Sequence, residues 1–291
     1  MINNHIPTRD IVGFSNTAQK LRAFFLDRGF VEVHTQDRLS ILAACEDPTT
    51  VATYEYEGAV WPLPQTGQMW LEYELLTKPV LPGVFCLSTS YRNEPNPVSG
   101  RHERIFPMFE FEAPGTFEDL KSLEGDLCEF LGLGKKSAFP HAEWLDMARH
   151  YSTNDLTSAH EKQMAADFGR VVFLEHFPET TSPFWNMHRT GALANKIDVI
   201  IDGMETIGSA ERSSDKVEMR ERFHTISGGG YANLLYQKFG RARVEKELDD
   251  FLSLNFFPRF GGGIGMTRLM RALGSPATIT AAPRSFITTH A

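Results

Sequence analysis

Two β-like runs fix the kind of sheet this chain can build. Val84-Phe85-Cys86-Leu87-Ser88-Thr89-Ser90-Tyr91 and Phe106 to Glu112 are separated by a polar, turn-rich stretch from Asn93 to Glu103. Two strands so joined make a long hairpin, and a hairpin commits its sheet to antiparallel pairing. A connection of about a dozen residues without structure of its own is more often functional than not. A second hairpin is written at Ile197 to Ile201, the turn Asp202-Gly203, and Glu205-Thr206-Ile207, because an Asp-Gly pair tolerates the positive φ of a tight turn. Phe30-Val31-Glu32-Val33 and Val171-Val172-Phe173-Leu174 read as further short strands.

Helical spacing appears between these strands. Ala18, Leu21, Phe24 and Phe25 recur on one face of 15–28, closed by Gly29, and a second helix covers Gln68 to Leu76. Thr116 opens a third, with Leu120, Leu123, Leu127, Phe130 and Leu131 along one face. Stretches 214–225 and 231–253 read as helical, and a last helix begins near Ile264. Residues 37–64, with Pro48, Gly58, Pro62 and Pro64, read as irregular, and Ser137 to Gly169 mixes short helical patterns. The pattern predicts an α+β fold, an antiparallel β-sheet flanked by helices. No repeat, low-complexity tract or linker divides the chain, so a single domain over 1–291 is expected. Gly261-Gly262-Gly263-Ile264-Gly265 is no dinucleotide fingerprint, since no room remains after it for a βαβ unit.

Composition narrows the function. Against 37 Asp+Glu stand 29 Lys+Arg, a formal charge of −8 that argues against sequence-independent binding to nucleic acid. No apolar run approaches the ~18 residues of a membrane helix. The start, MINNHIPTRD, lacks the basic and apolar parts of a signal peptide, so a cytoplasmic location is expected. Cys45, Cys86 and Cys128 are scattered and encode neither a disulfide framework nor a zinc site.

The hairpin loop concentrates the chemistry. Arg92 and Glu94, two apart on a strand, point to one face, where a guanidinium fork suits a phosphate and a carboxylate suits an amine. Arg101, His102 and Arg104 add local positive charge. Asp198 and Glu205, seven apart across the Asp202-Gly203 turn, form a carboxylate pair of the kind that holds Mg²⁺ against phosphates.

Taken together, these segments resemble the catalytic core of class II aminoacyl-tRNA synthetases, in particular the subgroup for aspartate, asparagine and lysine, over nearly the whole chain. Arg92-Asn93-Glu94 with its loop and the returning Phe106 to Glu112 strand look like that family's motif 2. Gly261 to Gly265 with Met266-Thr267-Arg268-Leu269 looks like motif 3. Gly29-Phe30-Val31-Glu32-Val33-His34-Thr35 looks like motif 1, the dimer-forming segment, although Gln36 stands where that motif has a proline. The resemblance implies that Arg92 binds the α-phosphate of ATP, that Glu94 meets the adenine side and that Phe106 stacks on the base. It implies that Arg268 reaches the γ-phosphate or covers the base, that His102 lies near ATP through its loop, and that Asp198 and Glu205 bind the metal. A homodimer is implied as well.

For the amino acid, the resemblance points to Gln65-Thr66-Gly67-Gln68-Met69-Trp70-Leu71-Glu72, with Gln68 near the α-carboxylate and Glu46 and Glu110 near the α-amino group. Arg212 falls where the subgroup keeps an Arg for the substrate side chain. Aspartate-specific enzymes carry a Lys in the Gln68 segment; here Leu71 and Glu72 look more like the asparagine pattern, with Glu72 able to accept from an amide. The aromatic residues of Pro183-Phe184-Trp185-Asn186-Met187 are expected in the core.

The subgroup's anticodon-binding barrel precedes motif 1, which here begins near residue 29, so no such domain is expected in this sequence. The leading expectation is therefore AMP-forming activation of an aspartate- or asparagine-like amino acid to an aminoacyl adenylate, passed to ammonia or another amine, as in synthetase-like asparagine synthetases. The alternatives are a minimal ligase charging tRNA and a non-catalytic regulatory subunit.

Overall fold

The computed structural model describes residues 10–35, 39–43, 46–97, 103–181 and 184–274. In chain order the elements are α1 (Ile11–Asp27), β1 (Val31–Glu32), β2 (Thr53–Tyr56), β3 (Ala59–Pro62), α2 (Gln68–Thr77), β4 (Val84–Tyr91), β5 (Ile105–Pro114) and α3 (Phe117–Phe130). There follow β6 (His141–Glu143), α4 (Trp144–His150), α5 (Ser158–Phe168), β7 (Val171–Pro178), β8 (Arg189–Thr190), β9 (Leu193–Ile201) and β10 (Met204–Arg212). The chain ends with α6 (Lys216–Thr225), α7 (Gly230–Phe239), α8 (Arg241–Leu252), β11 (Arg259–Gly265) and α9 (Met266–Leu273).

One nine-stranded sheet runs β1-β4-β5-β11-β10-β9-β7-β6, with β8 paired to β9. Its centre is antiparallel, as the hairpins require, and only the outer pairs β1–β4 and β6–β7 are parallel. Strand alternation divides the labour between the two faces. On β5, Phe109, Phe111 and Ala113 enter the core packed under α1, α3 and α9, with Leu21, Phe24, Phe25, Leu120, Leu127 and Leu269. The intervening Phe106, Met108, Glu110 and Glu112 take the opposite face, which carries the site. Phe25 sits at the centre of the core, its ring 5.2 Å from those of Phe30, Phe109 and Phe111. Truncating a buried Phe of this kind costs about 3–5 kcal/mol.

A second cluster, from α6, α7 and α8 with Trp185, Leu42 and Met69, walls the site face. Trp185 is buried there with its indole N–H donating to the Leu42 carbonyl at 3.0 Å, so that aromatic is core, as expected.

Three elements differ from the sequence reading. Residues within 37–64 form the β2–β3 hairpin, turned by Glu57 and Gly58, both at positive φ. The stretch 231–253 is two helices, broken where Gly240 takes φ 84°. The glycine run itself is strand β11, and the last helix starts only at Met266. Gln36, Cys45 and His102 lie outside the described residues, as does the motif 1 departure that Gln36 represents.

Candidate active site

The site is built on glycines. Strand β11 lies between β5 and β10, and its Gly261, Gly263 and Gly265 face the same side as Glu110 and Glu112 across the ladder. A Cβ on Gly263 would sit 2.6 Å from Met108 Cε, and one on Gly208 would sit 3.0 Å from Glu205 Oε1. Without those atoms the floor is bare backbone, and a cavity of about 220 Å³ opens above it, lined by Arg92, Glu94, Phe106, Glu205, Thr206, Gly208, Gly263 and Arg268.

Cationic side chains converge on this cavity. Arg92 is held at the end of β4 by its backbone N–H, which donates to the Arg104 carbonyl at 2.7 Å. Its guanidinium lies 5.4 Å from the centre of the Phe106 ring, a cation–π distance. Arg92 Nε is buried without a hydrogen-bond partner among the described residues. A buried guanidinium donor left unmatched is costly unless an anion completes it. Arg268, on the first turn of α9, donates from Nη1 to the Glu205 carbonyl at 2.7 Å. At the rim, Glu103 meets Thr267 at 3.4 Å and Arg271 at 3.8 Å.

The two acids meet through a bulge. Asp198 pairs with Gly208 and Ile200 with Glu205, and the register shifts between Glu205 and Ile207. Thr206 is thus one residue too many for the ladder. Residues three apart on a regular strand face opposite sides, but the extra residue brings Glu205 and Gly208 onto the same face. The point a Gly208 Cβ would occupy is 3.0 Å from Glu205 Oε1 and 3.6 Å from Asp198 Oδ1. Asp198 Oδ1 is buried and has no hydrogen-bond partner among the described residues, whereas Oδ2 receives Lys196 Nζ at 2.9 Å. Burial, with the Glu205 charge, raises the Asp198 carboxyl above the usual range against the pull of Lys196. Hard oxygen donors around a gap that only glycine leaves open suit a small divalent cation such as Mg²⁺.

Farther along the face lie the residues expected to read an amino acid. Glu110 accepts from Gly67 N–H at 2.8 Å and Ser88 Oγ at 2.5 Å, and from the Thr66 hydroxyl. Gln68 is buried, its amide nitrogen 4.0 Å from the Gly263 Cβ position. Glu46, also buried, accepts from Ala43 N–H at 2.6 Å, and burial pushes its carboxyl up to about 8.

Glu72 and Arg212 belong to a buried ion cluster. Arg259 grips Glu72 Oε2 through Nε at 3.1 Å and Nη2 at 2.5 Å, while Asn186 Nδ2 donates to Oε1 at 2.8 Å. Arg212 donates to Glu112 Oε1 from Nε at 3.1 Å and Nη2 at 2.6 Å, and its Nε lies 3.7 Å from Glu72 Oε1. All four ionic side chains are at most 2% exposed. Glu72 is wholly buried, and each of its oxygens accepts from the protein. Arg259, Glu112 and Asn186 were not among the sequence candidates. The one local signal was Arg259 at the head of the glycine run.

Of the expected site residues, the structure therefore brings Arg92, Glu94, Phe106, Glu205 and Arg268 around one cavity, with Asp198 at its edge. Gln68, Glu110 and Glu46 form a buried polar wall, and Glu72 and Arg212 lie in the ion cluster. Sequence reasoning missed Lys196, Thr206 and Gly208.

Known proteins share this fold. Residues 8–282 match the family of tRNA synthetases class II (D, K and N). The chain belongs to this family. Over 91% of its length, this class II synthetase chain is 25% identical to the aspartate–tRNA(Asp) ligase of Pyrobaculum aerophilum, and it spans 64% of that relative. It is 26% identical to the asparagine–tRNA ligase of Pelotomaculum thermopropionicum, over 56% of this chain and 44% of that one. In fold it is similar to the asparaginyl-tRNA synthetase of Pyrococcus horikoshii, whose structure holds asparaginyl-adenylate. The TM-score is 0.72 at 20% identity, over 90% of this chain and 64% of the other. Among the described residues no helix is long and apolar enough to cross a membrane.

Proposed function

We propose that this chain activates an aspartate- or asparagine-like amino acid with ATP. The observation that carries the reading is the glycine-floored cavity in which the unmatched Arg92 Nε, Arg268 and the Asp198–Glu205 pair face one space. An α-carboxylate oxygen attacks the α-phosphorus, the bond to the bridging oxygen of the β-phosphate breaks, and pyrophosphate leaves with the electron pair. Arg92 neutralises the charge that grows on the α-phosphoryl oxygens, and Phe106 stacks on the base. Arg268 orients the distal phosphates. Such a step needs positioning and fixed positive charge rather than covalent help. A Mg²⁺ ion held by Asp198 and Glu205 would supply further neutralisation of the triphosphate.

ATP–pyrophosphate exchange over a panel of amino acids tests the reading. Exchange with an amide- or acid-bearing amino acid, abolished in Arg268→Ala, is expected; no exchange with any acid on folded protein overturns it. That outcome would favour a non-catalytic, regulatory role.

The acceptor we propose is ammonia or a small amine, in keeping with a net charge of −8. A second reading, transfer to tRNA, is favoured by the names of the relatives above. Incubating the activated enzyme with ammonia, a panel of amines and total tRNA separates the two by which product carries label. A homodimer through the β1 segment belongs to the same proposal, and light scattering on purified protein reads it.

A further inference from the structure

We propose that Lys196 is a positioning residue that keeps the carboxylate pair from holding a divalent cation until a nucleotide brings one. The inference rests on the reading of Asp198 and Glu205 as the cation site. Lys196 and Asp198, two apart on β9, share a face, and Nζ lies 2.9 Å from Asp198 Oδ2. The same ammonium stands 3.9 Å from the centre of the Phe177 ring on β7, so ring and carboxylate hold it from two sides. Its side chain is only 14% exposed.

Two consequences follow for Asp198. One oxygen is tied down toward β7, which fixes the carboxylate plane and leaves Oδ1 over Gly208, where Glu205 Oε1 also stands. The ammonium also cancels one of the pair's two negative charges. Glu161, which accepts from the Glu205 backbone N–H at 2.8 Å, adds negative charge beside the pair, yet a dication entering alone still meets Lys196 at Asp198 and Arg268 3.5 Å from Glu205 Oε2, and each weakens the pull on it. A dication already complexed to a triphosphate carries its own anionic ligands, and for that complex both Lys196 and Arg268 are attractive.

The test is Mn²⁺ titration of the whole chain followed by electron paramagnetic resonance, without nucleotide and then with a non-hydrolysable ATP analogue. Wild type should bind Mn²⁺ weakly alone and tightly with the analogue. Lys196→Met and Lys196→Gln should bind Mn²⁺ alone on the order of tenfold more tightly, whereas Lys196→Arg should match wild type. Loss of mere packing would not be repaired by Arg or reproduced by both neutral variants. The proposal fails if wild type binds Mn²⁺ alone as tightly as with the analogue. It fails also if both neutral variants bind no better than wild type while Asp198→Asn binds worse; the carboxylate site then stands without the lysine's role. If Asp198→Asn leaves Mn²⁺ binding untouched, the site reading itself is overturned.

Discussion

The buried cluster of Glu72, Arg259, Glu112 and Arg212 makes a quantitative forecast. Arg259→Met removes two donors to Glu72 Oε2 and a third, Nη1, that donates to the Ser213 carbonyl at 3.0 Å. Glu72 then keeps Asn186 and an arginine nitrogen at 3.7 Å, with no exposure to water. Breaking such a pair from one side costs about 3–5 kcal/mol, because a buried charge is left without its counter-ion. Replacing both partners, Arg259→Met with Glu72→Met, removes the stranded charge and should cost well under half of that, since a buried pair is worth little over a packed apolar one. Urea denaturation of wild type, both single variants and the double variant gives the cycle. A loss under about 1 kcal/mol in Arg259→Met, or a double variant as unstable as the worse single one, would refute the idea that the two residues neutralise each other.

Other outcomes can be stated briefly. Glu124, wholly buried on α3, has its carboxyl pushed up to about 8 by burial, above the unfolded 4.5. The folded state therefore holds an extra proton in that window, and wild type should lose stability as the pH rises from about 5 to 8.5; the loss should be smaller in Glu124→Gln, by roughly 1–3 kcal/mol on thermal or urea unfolding. Phe106→Ala should raise the KM for ATP in pyrophosphate exchange about tenfold with less change in kcat, since base stacking is worth about 1–3 kcal/mol. Gly208→Val, which drives a branched side chain between Glu205 and Asp198, should abolish nucleotide binding by calorimetry while leaving the circular dichroism spectrum unchanged.

How much of this was legible depended on which physical signal each part carries. Strands β4 and β9 announce themselves through branched and apolar residues, and the Asp202-Gly203 turn fixes the hairpin of β9 with β10. Strand β11 does not, because Gly261, Gly262, Gly263 and Gly265 have no strand preference, and their register is imposed by β5 and β10. The β2–β3 hairpin was hidden for a different reason: most of its residues are not buried, so no alternation marks it. The cavity residues could be placed from Arg92, Phe106 and Arg268 because their motifs are local. The ion cluster could not, since Glu72 and Arg259 are 187 positions apart and nothing in either neighbourhood names the other. The Lys196–Asp198 pair was open to strand parity, but Glu205 was not, because parity fails at the Thr206 bulge.

That bulge makes the carboxylate pair a matter of counting. Pairing Thr206 into an unbroken ladder would set Glu205 opposite Ile201 and turn it through the sheet, toward the apolar side where Ile207 now packs, whereas deleting Thr206 would leave it on the site face. No intermediate placement exists between the two faces, so the second acid cannot be shifted gradually by drift in the surrounding strands. A descendant of this chain that loses the bulge keeps both acids on one face only if it also loses one residue between Glu205 and Gly208.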